Sequence, residues 1–187
     1  SYAWNEEQNE AYKKIAGKTI NVSWTDFMGN DRDVRYRVPN VNQCKECHAA
    51  KDKITPIGPK ARNLNKKFDF KEGEFNQLTY WMNRQIIDDY PMELVSPVDW
   101  TNENENINDR VRSYLDVNCG HCHSPTGNAN STGLYLHLDE TRKIHLGLYK
   151  KPVATGRGSG GLKYSIVPGK PEESILLHRM ISLDPGV

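Results

Sequence analysis

The sequence predicts a mainly α-helical chain of two tandem units with a β-hairpin on the first, and three observations predict it. A short motif, Cys-x-x-Cys-His, occurs at Cys44 to His48 and again at Cys119 to His123, each time after a segment that reads as helix. Between Ile20 and Val38, apolar and polar residues alternate on both sides of the turn Gly29-Asn30-Asp31, the pattern of a hairpin. Residues 89–106 are rich in Pro, Asn and acidic side chains and show no sustained period. The boundary is therefore expected near residue 100, giving units 1–100 and 101–187.

The elements follow in order. Residues 2–16 read as an amphipathic helix, with Trp4, Tyr12 and Ile15 on one side, charged residues on the other and Gly17 as its stop. Ile20, Val22 and Trp24, then Val34, Tyr36 and Val38, give the hairpin one buried face, and Pro39 ends it. Asn40 is placed to cap a short helix that carries Cys44, Cys47 and His48. Ile54 to Pro59 reads as a rigid loop. Leu78, Trp81, Met82 and Ile86 predict a helix over 74–87, and Ile107, Val111, Tyr114 and Leu115 one that runs into Cys119. Ser124 to Gly133 is loop, and Leu134, Leu136 and Leu138 alternate as a short strand would. Pro171 opens a last helix with Glu172 and Glu173 in its first turn and Ile175, Leu176 and Met180 along it.

Composition narrows the function classes. The 187 residues are 36% hydrophobic, with 25 basic against 24 acidic side chains, and mean hydropathy is −0.77. Balanced charge gives no basic field for nucleic acid, and no apolar run approaches the ~18 residues of a membrane span. No charged-then-apolar leader opens the chain at Ser1, so any export signal is expected to have been removed. A chain this polar needs a staple beyond its core: disulfides, a metal or a cofactor.

The cysteines name the staple. All four fall in the two Cys-x-x-Cys-His copies, and that pattern is the attachment signature of a c-type haem. Two thiols three positions apart at a helix turn can each form a thioether to one vinyl group of a porphyrin, and the following His is carried under the iron. The sequence thus points to two covalent haems, held at Cys44, Cys47 and His48 and at Cys119, Cys122 and His123. A zinc ribbon fits poorly, because 71 residues separate Cys47 from Cys119 and a four-thiolate site has no use for the adjacent His. Cysteines so closely paired give no disulfide frame. Gly156 to Gly161 tempts a phosphate-loop reading but lacks the Gly-Lys-Ser/Thr ending, which leaves either a flexible loop or a loop at a haem edge.

The second axial position sets the chemistry: Met raises the potential, His lowers it, and an open site admits ligands. Met92, 44 residues after His48, and Met180, 57 after His123, are the candidate distal ligands, with His137, His145 and His178 as alternatives. Met82 reads as core, Met28 as exposed, and His121 points away from the iron. Charge is segregated, with eight basic and three acidic residues over 41–71 against one and nine over 72–109. Solvated surface explains this, although a basic shell can also offset haem propionates.

Three stretches, YRVPNVNQCKECH…PIGPKARNLN (36–65), RSYLDVNCGHCH (112–123) and KPVATGRGSGG…YSIVPGKPEESILLHRM (151–180), resemble a family of bacterial two-haem c-type cytochromes of unassigned role. The resemblance implies two units similar to class I cytochrome c, in an exported protein often encoded beside a parallel β-helix protein. Family chains continue past Asp184-Pro185-Gly186-Val187 into a Met-Pro segment and a final helix, so the second unit is expected to be shortened here. In single-haem relatives such a Met is the distal ligand. The expected function is electron transfer between redox partner proteins in the periplasm of a Gram-negative bacterium. Alternatives are a two-haem peroxidase or a haem subunit of a larger oxidoreductase.

Overall fold

The computed structural model describes residues 1–50, 53–54 and 57–184. Backbone contacts divide the chain into two compact units, Ser1–Pro56 and Ile57–Val187. The stretch 89–106, where sequence placed the junction, lies inside the second.

The first unit is built of hairpins and one helix. Strands β1 (Tyr2–Trp4) and β2 (Ala11–Lys13) pair antiparallel, Tyr2 opposite Lys13. This replaces the helix expected over 2–16. The polar run 5–10 offers no apolar residue to continue a helical stripe, and Asn5 folds it into a turn instead. Its Oδ1 accepts from the backbone N–H of Asn9 and Glu10 at 3.1 and 3.2 Å, and its own N–H donates to the Glu10 carbonyl at 2.9 Å. Strands β3 (Lys18–Thr25) and β4 (Asp31–Val38) form the expected second hairpin, in register from Lys18 opposite Val38 to Thr25 opposite Asp31. Its apolar face is only partly covered, since Val38 is buried while Trp24 and Tyr36 remain half exposed. Helix α1 (Val41–His48) opens with a reciprocal cap. The Gln43 N–H donates to Asn40 Oδ1 at 2.9 Å, and the Asn40 N–H donates to Gln43 Oε1 at 3.0 Å. Strands β5 (Ala49–Ala50) and β6 (Lys53–Ile54) pair just after it.

In the second unit, α2 (Ala61–Leu64) precedes the hairpin of β7 (Lys67–Phe70) and β8 (Gly73–Asn76). The helix expected from residue 74 starts instead at Gln77, as α3 (Gln77–Asn83), because Phe68, Phe70 and Phe75 suit a pleated surface. Asn76 then caps the turn, accepting from the N–H of Leu78 and Thr79. Phe70 stacks on Tyr80 with ring centroids 3.7 Å apart. Ile86, assigned by periodicity to the helix's apolar face, is exposed. Helix α4 (Ile107–Asn118) forms as expected, and α5 (Ile175–Ile181) follows a 3₁₀ turn at Pro171–Glu173. Other 3₁₀ turns lie at Asn130–Thr132 and Gly156–Ser159. Leu78, Leu115, Leu136, Val167 and Ile175 are the unit's buried apolar side chains.

The expectation of a mainly α chain does not hold. Among the described residues the five α-helices are short, helix with the 3₁₀ turns included amounts to 27%, and strand to 20%. Two segments read as helix gave strand instead: residues 2–16, which form the β1–β2 hairpin, and residues 74–76, which end β8. The strand expected at Leu134, Leu136 and Leu138 is likewise absent. The backbone N–H groups of Tyr135, Leu136 and Leu138 go to three unrelated acceptors: the His145 carbonyl (2.7 Å), the His123 carbonyl (2.8 Å) and Asp116 Oδ1 (2.9 Å). Among the described residues, no helix is long and apolar enough to cross a membrane.

Candidate functional site

The second Cys-x-x-Cys-His copy grows directly out of α4. Cys119 is the helix's C-cap, its N–H bonded to the Leu115 carbonyl at 2.9 Å. One further turn follows, with the N–H of Cys122 and of His123 both donating to the Cys119 carbonyl at 3.2 and 2.9 Å. The turn is pressed against its neighbours. A Cβ on Gly120 would stand 2.8 Å from the Asp116 carbonyl oxygen and 3.1 Å from His137 Cα. A Cβ on Gly127 would overlap the Cys122 carbonyl, which accepts from the Ala129 N–H at 3.1 Å. Glycine is therefore required at both positions for the loop to close this tightly.

A charged frame holds the loop from behind. Asp116, with no side-chain exposure, takes Arg62 Nη2 on both carboxylate oxygens at 2.5 and 2.7 Å and the Leu138 N–H at 2.9 Å. Arg112 Nη2 meets the carbonyl oxygens of His137, Leu138 and Glu140, each at 2.8 Å, and burial lowers its pKa from the ordinary value. Glu140 Oε1 accepts from the N–H groups of Thr141 and Arg142, and both its oxygens meet the Arg142 guanidinium. Sequence gave no sign of this frame: Asp116 reads as an ordinary charged helix position, and Arg62 lies 54 residues before it.

His123 lines a small cleft of about 100 Å³. Leu134, Pro152, Val153, Ile175 and Leu176 supply its apolar wall. Nδ1 of His123 is buried with no hydrogen-bond partner. Burial holds this imidazole below the usual histidine range, opposed by the Leu134 backbone and reinforced by the charges of Arg179 and His121. Burial also raises the Cys119 thiol above its ordinary pKa. A neutral imidazole with one ring nitrogen unclaimed is a ready ligand for a metal held in that cleft.

The remaining candidates are dispersed. Met180 lies half exposed beside a different groove, with Trp100, Ile107, Val111 and Leu115, and Met92 is 83% exposed. His145 Nδ1 is 2.9 Å from the Gly133 carbonyl, and its ring stacks on Tyr135 at 4.8 Å. His137 Nδ1 and His178 Nε2 are buried without partners, and the His178 ring lies against Gly160. In the first unit, α1 carries Cys44 half-buried, with its Sγ 3.6 Å from Ser1 Oγ, while Cys47 and His48 are exposed. The rigid loop expected at Ile54 to Pro59 falls partly on residues 55–56, outside those described. No family model matches this chain, and neither does a curated protein or a solved structure.

Proposed function

We propose that this chain is a dihaem c-type cytochrome that carries single electrons between redox partner proteins. The observation that carries the reading is the pair of Cys-x-x-Cys-His motifs, which together use every cysteine of the chain. Cys44 and Cys47 would hold one porphyrin and Cys119 and Cys122 the other, each through two thioether bonds, with His48 and His123 as proximal iron ligands. Three features near the second motif support such a group: His123 with a buried Nδ1 that has no hydrogen-bond partner, an apolar cleft that His123 lines, and two cysteines on the turn that carries it. Bound haem supplies a one-electron iron couple. The chain's own task is to fix the imidazole, exclude water from one side of it and keep the attachment turn rigid. Thioether formation takes place outside the cytoplasmic membrane, so the periplasm of a Gram-negative bacterium is the proposed home. A parallel β-helix protein is a proposed partner, on the strength of the family resemblance alone.

Expression in a host that matures c-type cytochromes tests the reading. Intact mass and a pyridine haemochrome spectrum should give two covalent haems per chain. Cys119→Ser/Cys122→Ser should give one, and Cys44→Ser/Cys47→Ser the other. A colourless, iron-free product overturns the proposal.

A further inference from the structure

The glycine-rich turn that sequence could not place has a structural partner in α5. Arg179 Nε donates to the Gly158 carbonyl oxygen at 3.1 Å. Gly158 is buried, and a Cβ there would overlap Nη2 of Arg179 and stand 3.1 Å from both its Cζ and its Nε. Two residues on, Gly160 (φ +58°) leaves room for the His178 ring, whose Nε2 would lie 2.6 Å from an added Cβ. The turn thus gives up side chains at the two points where consecutive residues of α5 press on it. A guanidinium laid against bare backbone and hydrogen-bonded there has its direction fixed.

That direction matters because Arg179 lines the cleft of His123, together with Lys150. Among the described residues, no carboxylate lines the cleft. A largely apolar wall with two cations, the hydroxyls of Thr132, Thr155 and Ser165, and no acid suits an apolar ligand that carries a negative group. An Arg fork meets a carboxylate through two parallel hydrogen bonds.

We propose that Arg179 and Lys150 bind a carboxylate of the ligand held at His123, a propionate of the second haem, with Gly158 as the positioning residue for Arg179. The assignment rests on the dihaem reading. A fixed cation beside the haem favours the reduced form, which carries one positive charge fewer than the oxidised form. Removing it lowers the midpoint potential of that haem and leaves the other unaffected.

The test is a spectroelectrochemical titration of the dihaem protein and its variants, with the Cys44→Ser/Cys47→Ser protein showing which midpoint belongs to the second haem. Arg179→Gln is expected to lower that midpoint alone. Arg179→Lys, which keeps a point charge, should shift it less. Gly158→Ala should shift it in the same direction as Arg179→Gln, and the double variant should go no lower than Arg179→Gln. Should Arg179→Gln fail to retain the second haem, Arg179→Lys and Gly158→Ala carry the comparison. An unmoved midpoint in a protein with two haems overturns the Arg179 assignment and leaves the dihaem reading standing. Equal shifts of both midpoints, or additive shifts in the double variant, overturn it too. A protein without haem overturns both.

Discussion

Arg62 reaches across 54 residues of sequence to place one guanidinium nitrogen within 2.7 Å of both carboxylate oxygens of Asp116, the side chain directly behind the second attachment turn. Asp116 has no exposed side-chain surface, and without Arg62 its remaining cation is Lys60, whose Nζ stands 3.8 Å from Oδ2, beyond hydrogen-bond distance. Arg62→Ala is expected to destabilise the protein by about 3–5 kcal/mol, the usual effect of breaking a buried pair from one side. Urea unfolding of the haem-loaded protein checks it. A loss below about 1 kcal/mol, the scale of exposed pairs, removes Asp116 from the frame.

Glu140 gives an acid-dependent signature. The Arg142 guanidinium, ahead of the opposing effect of burial, holds its carboxyl at about 2, below the ordinary 4.5. A folded-state pKa below the unfolded one stabilises the fold fully above the unfolded value and is lost as pH falls through the folded value. Wild-type stability should therefore decline between about pH 4.5 and 2, and Glu140→Gln should flatten that limb. Thermal melts across the range decide it; identical slopes in both proteins refute the assignment.

Gly127 closes the loop over the Cys122 carbonyl, with space for no side chain. Gly127→Ala should force the backbone apart at a cost of about 1–3 kcal/mol and lower haem incorporation at the second motif. The haem-to-protein ratio of the purified variant measures this, and a full complement of two would show that the closure is not needed for attachment.

Met180 borders the groove beside Trp100 and Leu115, which shares Leu176 with the His123 cleft, while Met180 itself is not among the residues that line that cleft. Met180→Leu is close to volume-conserving and should change stability by less than about 1.5 kcal/mol. It should leave the absorption spectrum of both haems unaltered. Loss of a near-infrared sulfur-to-iron band in this variant would instead identify Met180 as an axial ligand.

What could be read beforehand follows the physics of each segment. The β3–β4 hairpin was legible because strict alternation and a Gly-Asn-Asp turn leave few other options. Helix α1 was legible from Asn40, whose reciprocal cap with Gln43 is a local device. The helix expected over 2–16 was not, because the spacing of Trp4, Tyr12 and Ile15 suggested a helical stripe while the turn that Asn5 makes set the chain as a hairpin. Cysteine and histidine spacing marked the two Cys-x-x-Cys-His segments, on which the haem proposal rests. The Asp116, Arg112 and Glu140 contacts join positions up to 54 residues apart, which no window along the sequence spans. Glycines 158 and 160 were visible only as a tempting motif, since their partners lie on a helix some twenty residues later.

Arg112 gathers three carbonyl oxygens on one guanidinium nitrogen, each at 2.8 Å. Pulling the 137–140 bend away from α4 would release all three at once and leave a cation facing bare protein, so helix and bend move together or not at all. A centre mounted on such a clamp can gain or lose charge while the scaffold beneath it keeps its shape. Less of the driving force is then spent on rearranging atoms between one state and the next.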